Sequence, residues 1–233
     1  MTEWIDLYSE SHWLQSDATG EDEARFIRQA LALQPGMRVL DIPCGAGRVA
    51  VHLAEAGCRV TGIDRNPNFI ARAGRRFASE GVDGTFRVLD MRALDDVAAF
   101  EAIYNWGGSF GYFSDEENAD VLHRMAAALA PGGRLLIEQP NREYILRHFI
   151  ATNQVGEWVS RTRWDTATQR IITEWTSDAG QPGFASSMRL YTLAQFRRLF
   201  ADAGLKVKAI YGDRDGGFYT RRCRRMSVVG RER

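Results

Sequence analysis

Residues 39–50, Val39-Leu40-Asp41-Ile42-Pro43-Cys44-Gly45-Ala46-Gly47-Arg48-Val49-Ala50, decide the fold. Val39, Leu40 and Ile42 are bulky apolar residues suited to a strand covered on both faces. Gly45 and Gly47 permit positive φ and let the backbone approach a ligand with no Cβ in the way. From Arg48 to Ala56 apolar residues recur at helical spacing, at Val49, Leu53, Ala54 and Ala56. A strand, glycine turn and helix at the start of an α/β domain commonly hold a nucleotide-like cofactor. The competing reading is a tight turn in an ordinary α/β protein.

The residue types narrow the cofactor. A dinucleotide fingerprint wants three glycines, with the pyrophosphate on the helix N-terminus. Here the pattern ends in Ala50, which that fingerprint tolerates. Asp41 at the strand end would repel a pyrophosphate and suits a ligand with a cationic amine. No Gly-Lys-Ser/Thr follows, which excludes a P-loop. A second strand, Arg59-Val60-Thr61-Gly62-Ile63-Asp64, ends in an aspartate roughly 20 residues on, the spacing at which an acid binds ribose hydroxyls. Arg65-Asn66-Pro67 follow, with Pro67 fit for the first turn of a helix. A third strand, Thr85 to Leu89, ends in Asp90-Met91, where a carboxylate could accept from an adenine amino group and Met91 could pack on the ring. Each aspartate alone can be a strand-end cap. Three at successive strand ends lie along one edge of a sheet, which caps do not explain.

Here the sequence resembles the class I S-adenosylmethionine-dependent methyltransferases. The resemblance is carried by residues 39–47, by Thr61-Gly62-Ile63-Asp64, by Leu89-Asp90-Met91 and by Leu129-Ala130-Pro131-Gly132-Gly133-Arg134-Leu135-Leu136-Ile137, in family order. It implies one domain over 1–233: an α/β, doubly wound, mostly parallel seven-stranded sheet of Rossmann-like methyltransferase type, its final strand antiparallel. It also implies S-adenosyl-L-methionine as cofactor. Two positions depart from the family: Pro43, often glycine, and Asn105, often aspartate. The cofactor-binding set is Asp41, Pro43, Cys44, Gly45, Gly47, Asp64, Arg65, Asp90, Met91, Asn105 and Trp106. The resemblance puts Asn105 at the end of the fourth strand against the methionine part, with Trp106 beside it.

The remaining chain is read in order. Residues 1–34 form a helical lid in two pieces, with Tyr8, His12 and Trp13 positioned to touch ligand or to pack the helix onto the core. The third crossover, Ala93 to Ala99, is short. The fourth strand, Phe100 to Asn105, runs into Trp106-Gly107-Gly108-Ser109-Phe110-Gly111-Tyr112-Phe113, a loop at the switch point of the sheet, where ligands sit. Ser114 caps a helix running to Leu129, which Ala130-Pro131-Gly132-Gly133 ends before a strand from Arg134 to Glu138. A short helix follows from Tyr144 to Ile150. Residues 155–191 alternate apolar and polar residues in three runs, a small three-stranded antiparallel β insertion with one face free to cover substrate or pair subunits as a homodimer. Gly212 to Tyr219 is a long exposed loop. The Arg221–Arg225 run reads as a solvated loop, or as a site for an anionic group.

Composition sets the class. Hydrophobic residues make up 45% and charged residues 26% of 233, the balance of a soluble domain. A formal net charge of +0 argues against nucleic acid, which attracts a basic face. The loop after the fourth strand also lacks the Asn-Pro-Pro-Tyr-like clamp of base-amine methylation and the Pro-Cys nucleophile of cytosine methylation. Cys44, Cys58 and Cys223 have no metal spacing and read as reduced thiols, which fits a cytoplasmic protein with no metal. No signal peptide and no membrane span are expected.

The expected reaction is direct methyl transfer to a nitrogen, oxygen or carbon of a small molecule. Candidate bases are Tyr112, His148 and Glu138, with Tyr144 near the same strand ends. Candidate acceptor contacts are Tyr8, Trp13, Phe110, Tyr112, Tyr144 and Tyr191. Two other readings stay open at this point: a nicotinamide-dependent oxidoreductase on a similar fold, and a non-catalytic interaction module.

Overall fold

A computed structural model of the chain describes residues 19–177 and 183–232. The order of elements begins with α1 (Gly20–Leu31), β1 (Arg38–Asp41), α2 (Ala50–Glu55), β2 (Arg59–Asp64), α3 (Pro67–Ser79), β3 (Gly84–Val88) and β4 (Phe100–Asn105). It continues with α4 (Asp115–Ala128), β5 (Leu129–Pro140), α5 (Arg142–Arg147), β6 (Thr152–Val155), β7 (Trp158–Asp165) and β8 (Arg170–Ser177). Last come β9 (Phe184–Arg189), α6 (Leu193–Asp202), β10 (Leu205–Tyr211) and β11 (Arg225–Glu232).

The main sheet has seven strands in the order β10-β11-β5-β4-β1-β2-β3. β1 pairs in parallel with β2 and β4, β2 with β3, and β4 with β5. β11 runs antiparallel to both neighbours. The chain leaves β1 toward β2 and β3, then returns to the opposite side as β4. The crevice beyond the carboxyl ends of β1 and β4 is therefore the switch point where ligands bind on such sheets.

Both faces of the sheet are covered, so β1 is apolar on both sides. Leu40 joins one core with Ile103, Phe110 and Leu135, and Val39 joins the other with Ile27, Leu53 and Tyr104. Helix starts follow their caps. Asn66 accepts from the Asn68 N–H ahead of Pro67, and Ser114 and Thr192 form reciprocal capping boxes with Glu117 and Gln195.

Several expectations change. The insertion has four strands, β6-β7-β8-β9, all antiparallel, beginning at Thr152. Its first strand is only four residues long and too short to show alternation. β5 starts at Leu129, because Phe100 pairs with Leu129 before the register shifts across the Pro131-Gly132-Gly133 stretch. The third crossover is one 3-10 turn, Met91–Ala93. The short helix starts at Arg142, where Asn141 accepts from the Glu143 N–H, and stops at Arg147. Of the lid, α1 is described; Tyr8, His12 and Trp13 lie outside the described residues.

The insertion is tied to the loop after β4. The Arg170 guanidinium donates to the carbonyls of Gly111, Tyr112 and Phe113 at 2.8–3.1 Å. Arg189 reaches Asp115 at 3.0 Å. These bonds satisfy three backbone acceptors that an irregular loop would otherwise leave to water. No helix among the described residues is long and apolar enough to cross a membrane.

Candidate functional site

A cavity of about 440 Å³ opens at the carboxyl ends of β1, β2 and β4. The glycine turn forms its floor. Gly45 has φ +53°, and a Cβ built there meets nothing within 4 Å, so the backbone faces open space. Gly47 has φ +72°, and its missing Cβ would stand 3.2 Å from the Ala73 Cβ on α3. Gly45 therefore bares the chain to the cavity, while Gly47 lets helix α3 pack close.

Asp41, Asp64 and Asp90 all line this one cavity. Asp64 holds the turn: its carboxylate accepts from the Gly45 N–H at 3.0 Å and from the Asn66 N–H at 2.9 Å. Burial pushes its carboxyl up, against the pull of those two N–H groups. Asp90 accepts from the Arg92 backbone N–H at 2.9 Å and pairs with its guanidinium at 2.8 Å. Burial raises that carboxyl, but the Arg92 bonds outweigh it and hold it below the usual carboxylate range.

Asp41 is the least compensated. It is 3% exposed, and burial, reinforced by Asp64 and Glu23, pushes its carboxyl up to about 8 against the pull of the Tyr104 hydroxyl and Arg48. The buried Tyr104 hydroxyl acts on Asp41 without forming a hydrogen bond to it. A buried anion in this state is short of a cation. Beside it, burial and the two aspartates push the Cys44 thiol up, so it packs as an uncharged filler.

The cavity's other end is basic. Glu23 of α1, 1% exposed, accepts from Arg48 at 2.5 Å and from the Trp106 indole N–H at 2.9 Å on one oxygen. Its other oxygen takes Arg214 at 2.6 Å and the Thr19 hydroxyl at 3.2 Å. Arg214 comes from the β10–β11 connection and also lies 6.0 Å from the Trp106 ring centre. Arg225, at the start of β11, lines the cavity and pairs with the fully buried Glu138. Sequence reasoning missed Glu23, Arg48 and Arg214. One signal was available: Glu23 stands on the same helical face as Phe26 and Ile27, an acid within an apolar stripe.

The structure sorts the expected site residues. Asp41, Pro43, Cys44, Gly45, Asp64, Arg65, Asp90, Met91, Trp106 and Tyr112 line the cavity. Gly47 and Asn105 do not. Asn105 is fully buried and spends its amide on the Ile42 carbonyl at 2.7 Å, bracing β4 against the turn after β1. Phe110 is buried among Tyr191 and Phe196, with ring centres 5.7 Å away. Tyr191 is buried too, its hydroxyl on Asp115 at 3.2 Å. Tyr144, on α5, stacks on His148 just past the helix end with ring centres 4.0 Å apart, and neither lines the cavity. Glu138 lies behind Arg225, neutralised by it. Of the three candidate bases, only Tyr112 reaches the cavity. Of the Arg221–Arg225 run, Arg225 alone does, while Arg221 pairs with Glu143 at 3.2 Å.

Comparison with known proteins gives a consistent picture. The family model described as a methyltransferase domain matches residues 39–133. The cypemycin N-terminal methyltransferase of a Streptomyces species is 30% identical over 206 residues, covering 83% of this chain and 82% of that one. The glycine/sarcosine N-methyltransferase of Halorhodospira halochloris is 30% identical over 222 residues, covering 90% of this chain and 78% of that one. Among solved structures, the CcbJ methyltransferase of Streptomyces caelestis shares the fold, with a TM-score of 0.78, 18% identity, and 94% and 98% of the two chains covered.

Proposed function

The chain belongs to the class I S-adenosylmethionine-dependent methyltransferases, and from that premise we propose that it methylates a small molecule within the cavity at the ends of β1, β2 and β4. The observation that carries this is the meeting of Asp41, Asp64 and Asp90 around a glycine turn whose backbone is open to the cavity. The residues fit the donor. An undercompensated buried Asp41 calls for a cation, and Asp64 is held in place by two N–H groups to accept from ribose hydroxyls. Asp90, Met91 and Leu89 form the adenine end, and Arg48 stands beside the turn for the donor's carboxylate.

Bound S-adenosylmethionine supplies a methyl group already activated by its sulfonium. What remains for the chain is to hold two molecules in line and keep water out. Trp106, buried and fixed by Glu23, walls the cavity where β4 ends. Tyr112, on the loop clamped by Arg170, is the side chain placed to orient the acceptor or hold its proton. A nitrogen acceptor is the reading supported by the match to a glycine/sarcosine N-methyltransferase. A neutral amine attacks through its own lone pair, so Tyr112 need only position it. The zero net charge supports a small acceptor over nucleic acid.

Calorimetric titration with S-adenosylmethionine tests the reading. Saturable binding is expected, weakened by about 10-fold or more in Asp64→Ala, which removes the acceptor of two turn N–H groups and of the ribose. Absence of saturable heat, or an unchanged Asp64→Ala, would refute it.

A further inference from the structure

The basic end of the cavity holds guanidiniums whose hydrogen-bonding capacity its carboxylates use only in part. Arg48, Arg214 and Arg225 line it, and among the described residues they form ion pairs with Glu23 and Glu138. Glu23 is close enough to Arg225 to raise its guanidinium as well, so the three cations share one corner. The donor brings a single carboxylate, and Arg48, on the glycine turn beside Asp41, is the cation that turn offers it. Arg214 and Arg225 come from a different part of the chain, on either side of the β10–β11 connection.

These two arginines are built alike. Each is anchored on a buried carboxylate, Glu23 at 1% and Glu138 at 0% exposure, while its own side chain stays 32% or 40% exposed. Each anchor takes one terminal nitrogen of the guanidinium, Nη2 of Arg214 and Nη1 of Arg225. A guanidinium carries five N–H donors in a rigid fork, so most of both forks have no protein partner among the described residues. Burying a carboxylate to hold a half-exposed cation is costly and gives little stability in return. It does fix where the cation points. A planar fork, preset and half-open to a cavity, matches a planar carboxylate that it can grip with two parallel bonds.

We propose that Arg214 and Arg225 form a carboxylate-recognition subsite, so that the methyl acceptor is a small molecule bearing a carboxylate. This rests on the methyl-transfer reading above. Arg214 and Arg225 position the acceptor by its acid group, at the end of the cavity away from Asp90, and they leave the donor's contacts untouched.

The test uses the purified full chain saturated with S-adenosylhomocysteine. Calorimetry compares benzoate and acetate with benzamide and acetamide, pairs matched in shape and differing in charge. The acids are expected to bind about 10-fold or more tighter than the amides, and to lose that advantage in Arg214→Gln and Arg225→Gln, while S-adenosylhomocysteine affinity changes by less than about 3-fold. Because Arg225→Gln leaves Glu138 buried without its cation, Arg225→Lys, which keeps the charge and loses the fork, stands in if that variant does not fold. Equal binding of acid and amide, no binding of either, or a loss of S-adenosylhomocysteine affinity in place of acid affinity would each overturn the proposal. If the parent protein fails to bind S-adenosylhomocysteine, the methyl-transfer reading falls, and the acid–amide comparison on the free protein still decides the subsite.

Discussion

Asp41→Asn should make the free protein more stable, and by an amount that grows with pH. The Asp41 carboxyl titrates at about 8 in the folded chain and at an ordinary 3.8 when unfolded. Between those values the native state holds a proton that the unfolded chain has released. Stability therefore falls as pH rises through this window, the reverse of an ion-paired carboxylate. The group costs roughly 2 kcal/mol at pH 5 and roughly 5 kcal/mol at pH 7.5. Relaxation around the anion trims the rise to about 2–3 kcal/mol. Asparagine keeps the shape and removes the ionisation, so the gap between variant and parent should widen by that amount from pH 5 to pH 7.5. For a chain of this size it appears as about 5–10 °C in Tm. Urea unfolding at the two pH values, with the gap at pH 5 as baseline, cancels every other titrating group. Saturating S-adenosylmethionine should shrink the gap at pH 7.5, because its positive charge stabilises the ionised carboxylate. A gap independent of pH would refute the reasoning, and one that narrows toward pH 7.5 would mean that Asp41 is already paired.

Glu23→Gln leaves Arg48 and Arg214 facing each other without their shared anion. Thermal unfolding should register a loss of about 2–4 kcal/mol, and an unchanged Tm would show that the cluster carries no strain when discharged. Gly47→Ala forces a side chain into positive φ against Ala73 and should cost about 1–2 kcal/mol in urea unfolding. Its donor affinity should stay near the parent's, since Gly47 does not line the cavity; a large loss would return Gly47 to the ligand contacts. Alkylation at pH 7.5, followed by mass spectrometry, should modify half-buried Cys223 before Cys44 and Cys58, whose thiols burial pushes up. Prompt loss of Cys44 would contradict the packed turn.

The centre of the main sheet was legible because β1, β2 and β4 are largely buried and write themselves as short apolar runs, β1 and β2 ending in Asp41 and Asp64. Asp41, Asp64 and Asp90 are local to their strands, and their meeting follows from parallel order alone. The contacts that sequence reading missed are long-range. Glu23 meets Trp106 across 83 positions, and Arg225 meets Glu138 across 87. No local period encodes such pairs. The aromatic candidates failed for a different reason. Tyr191 and Phe110 belong to a motif-like loop and strand end, yet an aromatic ring of that size is worth more in the core, where Phe196 covers both. Asn105 stands at the right place in the chain, but its side chain turns to the Ile42 carbonyl, which needed a donor.

The insertion belongs to the site rather than to its surroundings. Its Arg170 grips three successive carbonyls of the loop that carries Tyr112, and burial lowers that guanidinium's pKa, the cost of taking the cation out of water. A loop rich in glycine has many conformations to lose, and the residues from Trp106 to Phe113 include three glycines. Alignment of donor and acceptor is worth little if the wall beside them moves by an ångström. A clamp from a separate sheet resolves this. The glycines let the chain turn sharply over the cavity, and the insertion removes the freedom that they bring. On the same logic the acid end of the cavity, built from strand ends, is rigid by backbone pairing, and the basic end, built from the β10–β11 connection and the first residue of β11, adds buried anchors. Glu23 and Glu138 do for Arg214 and Arg225 what the parallel sheet does for Asp41 and Asp64.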